Sequence, residues 1–125
     1  MINHYEIEPE ELLEILEDKN QCNNIAIIDV REDDERKEYG MIENSIIMPF
    51  ASLNNEIIAD FIKNNMQYQN IYIYCRAGVR SFVAIQMFSK YLKENYDNDT
   101  QFNFYNLKGG MINWLDKRYN YIKKD

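Results

Sequence analysis

The sequence has little of the residue types on which many metal sites and catalytic dyads depend. Its 125 residues include one histidine, His4, and two cysteines, Cys22 and Cys75. The two cysteines lie far apart and have no metal-ligand spacing, so we expect neither a metal site nor another cofactor. A lone histidine near a terminus argues against a paired cysteine and histidine. Two isolated cysteines are typical of a reducing compartment, and we expect a cytoplasmic protein.

Long hydrophobic runs and clusters of basic residues are also missing. No apolar run approaches the ~20 residues that a membrane-spanning helix needs, and the first residues do not resemble a signal peptide. The formal net charge is −7, which argues against nucleic acid or a membrane surface as a partner. A small anionic substrate is still compatible with this charge, because nearby N–H groups act on it more strongly than distant, screened charges.

Short apolar runs alternate with stretches of helical periodicity along the chain. The runs predict strands over residues 5–7, 25–30, 45–48, 71–74 and 102–105. The periodic stretches predict helices over residues 9–19 and 33–39, after a cap at Ser52, from Ser81 onward and over residues 111–118. Strands that alternate with helices form a parallel sheet with helices on both faces, so the predicted class is α/β. Residues 119–125 are predicted to form a loosely held tail.

The most informative stretch follows the fourth predicted strand. There Cys75-Arg76-Ala77-Gly78-Val79-Arg80-Ser81 leads from the strand into a helical pattern. Gly78 tolerates the φ values that a tight curl needs. Successive N–H groups in such a curl, together with the first N–H groups of the helix, form an anion-binding nest. A thiolate at this place is stabilised, so we expect the pKa of Cys75 to be lowered.

Three stretches together resemble the rhodanese (thiosulfate sulfurtransferase) family. They are the loop over residues 75–81, Asp29-Val30-Arg31-Glu32 with residues 40–49, and Tyr105-Asn106-Leu107-Lys108-Gly109-Gly110-Met111 before Trp114. Their order and spacing are those of the family across almost the whole chain. The chief departure is Met41, where the family often has a histidine, and that position is generally structural.

The resemblance implies a particular version of the α/β class. It implies a three-layer α/β/α rhodanese-like fold in one domain over residues 1–125, with a central five-stranded, mostly parallel sheet in the order 3-2-4-5-1. In that order the strand before Cys75 is central and lies beside the strand that ends at Asp29. The direction of winding reverses between these two strands, and open α/β sheets bind ligands at such a switch point.

The resemblance also implies a sulfurtransferase in which Cys75 is the catalytic residue. Its thiolate would take the outer sulfur of thiosulfate or another small anionic donor, carry it as a persulfide, and give it to cyanide or a thiol. The expected substrate-binding residues are Arg76, Ala77, Gly78, Val79 and Arg80. For Arg80 a tie to a carboxylate at the helix start is an equally good hypothesis. Asp29 and Arg31 are expected to support the loop as a buried pair.

Three other functions stay open at this point. A persulfide carrier would use the same cysteine with protein donors or acceptors, and sequence does not separate it from a thiosulfate enzyme. Cysteine-dependent phosphatases and arsenate reductases usually place five residues between cysteine and arginine, whereas four separate Cys75 from Arg80. A non-catalytic binding module is the last alternative, and the intact cysteine counts against it.

Overall fold

Five parallel strands form the centre of the fold. The computed structural model describes residues 1–97, 99–117 and 122–123, and its strands are β1 (Ile2–Ile7), β2 (Ile25–Asp29), β3 (Met41–Ile42), β4 (Ile46–Ile47), β5 (Asn70–Tyr74), β6 (Phe102–Leu107) and β7 (Ile122–Lys123). The central sheet has the order β1-β6-β5-β2-β4, and its neighbouring strands are parallel. Numbered as the five predicted strands, this is the order 3-2-4-5-1, so the predicted fold class is confirmed.

Helices cover both faces of this sheet. They are α1 (Pro9–Glu17), α2 (Asp33–Tyr39), α3 (Asn55–Asn64), α4 (Val79–Asn95) and α5 (Gly110–Asp116). On one face α3 and α4 bury a core that includes Ile58, Phe61, Ile85, Phe88, Ile71, Ile73 and Phe104. On the other face α1 and α5 bury a second core that includes Leu12, Met111, Trp114, Ile27, Tyr72 and Leu107. Two cores on either side of one sheet give the expected three layers.

Most predicted element boundaries agree with the structure to within two residues, and the starts of α3 and β1 differ in ways that have a physical reason or a larger offset. The predicted cap of α3, Ser52, lies in a short 3₁₀ turn over Phe50–Ser52. The Asn54 side chain caps the helix instead and accepts a hydrogen bond from the Ile57 N–H at 2.9 Å. The turn delays the helix by two residues, and asparagine is as good an N-cap as serine. Strand β1 also begins earlier than predicted, at Ile2.

The predicted loose tail over residues 119–125 lies mostly outside the described residues. Its described pair forms β7, which pairs in antiparallel register with β3. Where the structure describes this segment, it is therefore held by backbone partners from Met41–Ile42. In the part of the chain that the structure describes, none of the helices combines the length and the apolar character that a membrane span requires.

The strand order brings Asp29, Tyr74 and Asn106 together at the carboxyl ends of β2, β5 and β6. Strand β5 lies in the middle, and its last residue, Tyr74, is in register with Asp29 at the end of β2. On the other side Ile73 is in register with Asn106 near the end of β6. Because parallel strands end at the same edge, Cys75 emerges between the ends of two strands.

Candidate active site

The Cys75 sulfur lies inside a ring of hydrogen-bond donors. The residue is 1% exposed, and the Gly78 N–H donates to its Sγ at 3.1 Å. The backbone N–H groups of Ala77 and Ser81 also donate to the sulfur, and the Ser81 hydroxyl oxygen lies 3.3 Å from it. We call residues 75–81 the cysteine loop. It has the geometry of an anion-binding nest built around a thiol.

These contacts decide the ionisation of the thiol. Burial by itself raises the pKa of Cys75, because a thiolate loses its hydration there. The hydrogen bonds from Ser81, Gly78 and Ala77 act in the opposite direction and stabilise the anion. Their combined effect is larger, so the pKa of Cys75 is lower than the ordinary value of a cysteine. The start of α4, which points at the loop, adds the positive end of a helix dipole.

Two features hold the loop in its curled shape. Gly78 has φ +102°, a conformation that residues with a Cβ rarely adopt. On the far side, the Met111 N–H donates to the Cys75 carbonyl at 2.8 Å and the Ile112 N–H to the Arg76 carbonyl at 3.0 Å. In a trans peptide the N–H points opposite to the carbonyl. The bond from Ile112 therefore also directs the next N–H, that of Ala77, towards the sulfur.

The start of α5 approaches the loop so closely that only glycine fits at Gly110. A Cβ built on Gly110 would lie 2.5 Å from the Arg76 carbonyl oxygen and 2.6 Å from that of Cys75, and φ there is +61°. Gly110, in the family-like stretch over residues 105–111, thus allows the backbone contact that orients the cysteine loop.

Arg80, the last arginine of the loop, is paired with a carboxylate. Its two terminal nitrogens donate to the two carboxylate oxygens of Glu35 at 2.9 and 2.6 Å. The hydrogen bonds from Arg80 lower the pKa of Glu35 to about 2, against the smaller opposing effect of burial. The guanidinium therefore connects the start of α4 to α2, and both of its terminal nitrogens are already hydrogen-bonded to Glu35.

Asp29 and Arg31 form a buried network beside the loop. The Arg31 guanidinium donates to both carboxylate oxygens of Asp29, at 3.0 and 2.8 Å, and to the Gly40 carbonyl at 2.7 Å. The Tyr74 hydroxyl, at the end of β5, donates to Asp29 at 3.1 Å. This network fixes the end of β2 against β5 and against the segment after α2, which supports the edge from which the loop leaves.

Arg76 has a different position from Arg80. It is exposed and lines an open cleft of about 630 Å³, whose wall also includes Arg31, Tyr39, Met111 and Ile112. Arg76 is the residue through which this cleft borders the cysteine loop. Arg76 therefore places a cation where an anionic molecule would approach the loop.

The structure brings the predicted loop residues together and adds three that sequence reasoning missed. These are Ser81, Asn106 and Glu35. Ser81 stands in the loop motif itself, and a hydroxyl in the first turn of a helix is a signal that could have been used. Glu35 reaches the loop from α2, and no sequence pattern near it marks this contact. Asn106 lies in one of the three family-like stretches, but nothing in that stretch shows that its side chain contacts the cysteine loop.

The remaining candidates lie elsewhere. Cys22 is part of a short 3₁₀ helix just before β2, which places it at the opposite edge of the sheet from Cys75. The His4 ring contacts Phe82 at a centroid distance of 5.2 Å. Among the described residues, no group of three or more histidine, cysteine or acidic side chains is arranged to hold a metal ion.

The fold and the site together define a class. A buried cysteine after the central strand of a parallel sheet, held in a loop of N–H donors, is the arrangement of an α/β domain with an activated thiol. The chain matches the family described as "Rhodanese-like domain" over residues 8–117. It therefore belongs to the rhodanese-like domain family, and the predicted family is confirmed.

Solved structures show the same fold in proteins of differing description. An As-Sb reductase from Leishmania major is 28% identical, with a TM-score of 0.79, and the match covers 92% of this chain and 79% of that one. A rhodanese-like domain protein from Staphylococcus aureus is 27% identical over 98% of both chains, with a TM-score of 0.62. A yeast protein tyrosine phosphatase of the rhodanese family shares the fold at 17% identity, with a TM-score of 0.74 over 93% and 87% of the chains. A search of curated proteins finds no significant match.

Proposed function

We propose that this chain is a sulfurtransferase that moves a sulfane sulfur from thiosulfate, or a related small anionic donor, to cyanide or a thiol. The Cys75 thiolate forms a bond to the outer sulfur of thiosulfate while the sulfur–sulfur bond of thiosulfate breaks. Sulfite leaves with the bonding electron pair, and the enzyme carries an anionic persulfide. The acceptor then takes the terminal sulfur, and the thiolate returns. Charge balances in both steps, so neither needs an oxidant or a reductant.

The observation that carries this proposal is the convergence of donors on one sulfur. The N–H groups of Ala77, Gly78 and Ser81 point at Cys75 Sγ, and preorganised donors of this kind stabilise developing negative charge. The lowered pKa of Cys75 supplies the thiolate, and sulfite is a good leaving group. The reaction therefore needs no separate general acid or base.

Arg76 and the cleft provide the second part of the proposal. Arg76 is the exposed cation of the loop, and we assign it to the anionic end of the donor. Thiosulfate carries its charge on the sulfonate oxygens, away from the sulfur that is attacked. A contact to Arg76 would therefore orient the outer sulfur towards Cys75 while the oxygens stay in the cleft.

The acceptor and the cellular setting belong to the same proposal. A thiol in the cell, small or on a protein partner, would take the sulfur, which makes a persulfide carrier a variant of this function. We expect neither nucleic acid nor a membrane among the partners, and we propose the cytoplasm as the location. A reducing compartment keeps Cys75 available as a thiolate between turnovers.

A reductase of arsenate or antimonate is the second candidate, and the similarity to the Leishmania major protein favours it. Two features of this chain weigh against it. The loop has only four residues between Cys75 and Arg80, and Arg80 is bound to both oxygens of Glu35. An oxyanion of arsenic or a phosphate ester would need that guanidinium for its oxygens.

The test is mass spectrometry of the purified protein after exposure to thiosulfate. We expect the mass to rise by one sulfur atom, located on Cys75, and to return after cyanide is added. Cys75→Ser should abolish this transfer while the fold stays intact. Cys22→Ser, the matched control, should transfer sulfur like the natural protein, since Cys22 lies at the other edge of the sheet.

Parallel assays decide between the candidates. Thiosulfate with cyanide, arsenate with a thiol reductant, and an aryl phosphate are each given to the same preparation. Sulfur transfer with negligible turnover of the two oxyanions supports the proposal. Efficient arsenate reduction or phosphate hydrolysis without sulfur addition to Cys75 would overturn it.

A further inference from the structure

Asn106 lies where two parts of the cysteine loop meet. Its side-chain amide is buried, with 3% of the residue exposed, and Ser81 is completely buried. The amide oxygen accepts a hydrogen bond from the Ser81 hydroxyl at 2.6 Å. The amide nitrogen donates to the Gly78 carbonyl at 3.0 Å. One planar group on β6 thus contacts both the middle of the loop and the first turn of α4.

The two bonds fix the orientation of the amide and of the loop. If the Asn106 amide were flipped, its oxygen would face the Gly78 carbonyl oxygen, and neither atom could donate a hydrogen bond. The Gly78 carbonyl therefore fixes the positions of the amide nitrogen and oxygen. The bond to the Gly78 carbonyl also directs the following N–H, that of Val79, away from Asn106, because the peptide is trans. Asn106 therefore holds the peptide plane at the point where the loop curls.

The hydroxyl of Ser81 has one proton and two acceptors. When Cys75 is a thiol, its proton is donated to the Ser81 oxygen and the Ser81 proton to Asn106, so each group is satisfied. When Cys75 is a thiolate, the sulfur and the Asn106 oxygen compete for the single Ser81 proton. A buried acceptor that loses its donor destabilises the site, so the state of Cys75 and the position of this proton depend on each other.

We propose that Asn106 is a positioning residue of the sulfur-transfer site. Its amide holds the Gly78 carbonyl, and the Ser81 hydroxyl donates alternately to Asn106 and to Cys75 as negative charge moves during sulfur transfer. The inference rests on the proposed function. In the thiolate the charge is on Sγ, and the Ser81 hydroxyl turns to it. In the persulfide the charge is on the outer sulfur, so the hydroxyl returns to Asn106. Asn106 in this way favours the state in which charge has moved from the inner to the outer sulfur.

Other charges near Cys75 have to be considered in any test that reads its ionisation. The guanidinium of Arg80, on α4, interacts electrostatically with Cys75 and is paired with Glu35 of α2. Arg76 is the remaining cation of the loop. None of these groups contacts Asn106 among the described hydrogen bonds, so a change at Asn106 leaves their pairing in place.

The first experiment measures the reactivity of the thiol and needs no sulfur donor. In a Cys22→Ser background, the rate at which iodoacetamide alkylates Cys75 is followed against pH. Asn106→Asp retains the acceptor for Ser81, removes the donor to Gly78 and adds negative charge. We expect it to move the midpoint of the profile to higher pH and to slow alkylation at neutral pH by about tenfold.

Asn103→Asp is the matched control, because it makes the same change on the same strand. Asn103 is half-buried and bonds to Asn3 and Asn70 across the sheet, outside the cysteine loop. Its profile should stay within about twofold of the parent's, since the added charge lies outside the hydrogen-bond network of Cys75. An unmoved midpoint in Asn106→Asp, or an equal shift in Asn103→Asp, overturns the proposal.

A second experiment tests the link through Ser81 and remains informative if Asn106→Asp folds poorly. Asn106→Leu is close in size and removes both bonds. We expect its kcat for sulfur transfer to fall by about tenfold with KM for thiosulfate nearly unchanged, because Asn106 does not face the donor. Combined with Ser81→Ala, the loss should be clearly less than the product of the two single losses.

Additive losses in that double variant, or an unchanged kcat in Asn106→Leu, contradict the proposal. The experiments also distinguish a failure of the Asn106 proposal from a failure of the proposed function. If the natural protein transferred no sulfur at all, the proposed function would fail, while the alkylation profiles would still show whether Asn106 controls the thiol.

Discussion

Two arginines of one loop have different surroundings, and this difference assigns them different roles. Arg80 donates to both oxygens of Glu35, whereas Arg76 is exposed at the cleft. A guanidinium already engaged with a carboxylate contributes to structure, and an exposed one is available for an anion. We therefore assign Arg80 to the stability of the fold and Arg76 to substrate binding.

Replacing Arg76 should affect the donor and not the fold. We expect Arg76→Ala to raise KM for thiosulfate and to lower kcat/KM by about tenfold, the effect of one lost charge-assisted contact. An uncharged sulfur donor should be affected less. Lys90→Ala is the control, because it removes a positive charge from the exposed face of α4. Identical steady-state kinetics of Arg76→Ala and the natural protein would assign Arg76 to solvent.

The Glu35 carboxylate should make part of the stability depend on acid pH. Its pKa is lowered in the folded protein from 4.5 to about 2 by the hydrogen bonds from Arg80. A lowered folded-state pKa contributes stability that is present above pH 4.5 and is lost as the pH falls towards 2. Glu35→Gln should therefore cost on the order of 1 kcal/mol near neutrality, since the pair is partly exposed.

Urea unfolding at a series of pH values checks this. The difference in unfolding free energy between the natural protein and Glu35→Gln should be largest above pH 4.5 and should shrink as the pH falls towards 2. If the difference in unfolding free energy stayed constant over this pH range, the Arg80–Glu35 ion pair would not be its cause.

The elements act on the site through backbone contacts. The first turn of α5 donates two N–H groups to the carbonyls of Cys75 and Arg76, and it reaches them because Gly110 has no side chain. A short helix that contributes no side chain to the sulfur thus determines which way the loop peptides face. The orientation of the N–H groups around Cys75 is a property of how α5 packs against the end of β5.

Gly110→Ala should disturb the loop and Gly109→Ala should not. Both residues have positive φ, so both substitutions cost about 1–2 kcal/mol in backbone strain. A Cβ added at Gly110 would meet the backbone of Cys75 and Arg76, while the atoms nearest to a Cβ at Gly109 belong to the Asn113 side chain, outside the cysteine loop. We expect a drop in sulfur transfer of about tenfold or more for Gly110→Ala alone, because a small misplacement of reacting groups is costly.

Thermal unfolding and transfer assays on the two variants provide the comparison. Both variants should lose stability, Gly110→Ala more because its Cβ also meets backbone atoms, and only Gly110→Ala should lose sulfur transfer per folded molecule. Equal activity in both would show that the contact at Gly110 supports the fold without positioning the loop.

Sequence patterns predicted the elements better than the contacts between them. Apolar runs predicted the five strands, because buried parallel strands have short, nearly continuous apolar sequences. The order of the strands came from the family resemblance. The N-cap at Asn54 was not predicted, because Ser52 and Asn54 are equally good caps and the intervening turn leaves no clear signal. Asn106 was visible in a motif, but its partners Gly78 and Ser81 are distant in sequence.

At the scale of the molecule, the net charge and the site have opposite signs. The chain carries −7 overall, yet the loop presents N–H groups, a helix start and Arg76 to an incoming anion. Screening limits the surface field to about 10 Å at moderate ionic strength, so the local groups dominate at contact. The negative surface lowers the rate of encounter more than it lowers affinity, and added salt should reduce that penalty.

The pairing of β1 with β6 has a consequence for how the chain reaches this structure. Ile2 is in register with Phe102, and Ile7 with Leu107, so within the central sheet the strand that is synthesised first pairs with the strand that is synthesised last. Until β6 has left the ribosome, the hydrogen-bonding edge of β1 has no native partner and β5 is open on one side. Contacts of such long sequence separation slow folding. Chains interrupted before β6 would expose two strand edges, which favours aggregation over a partly active product.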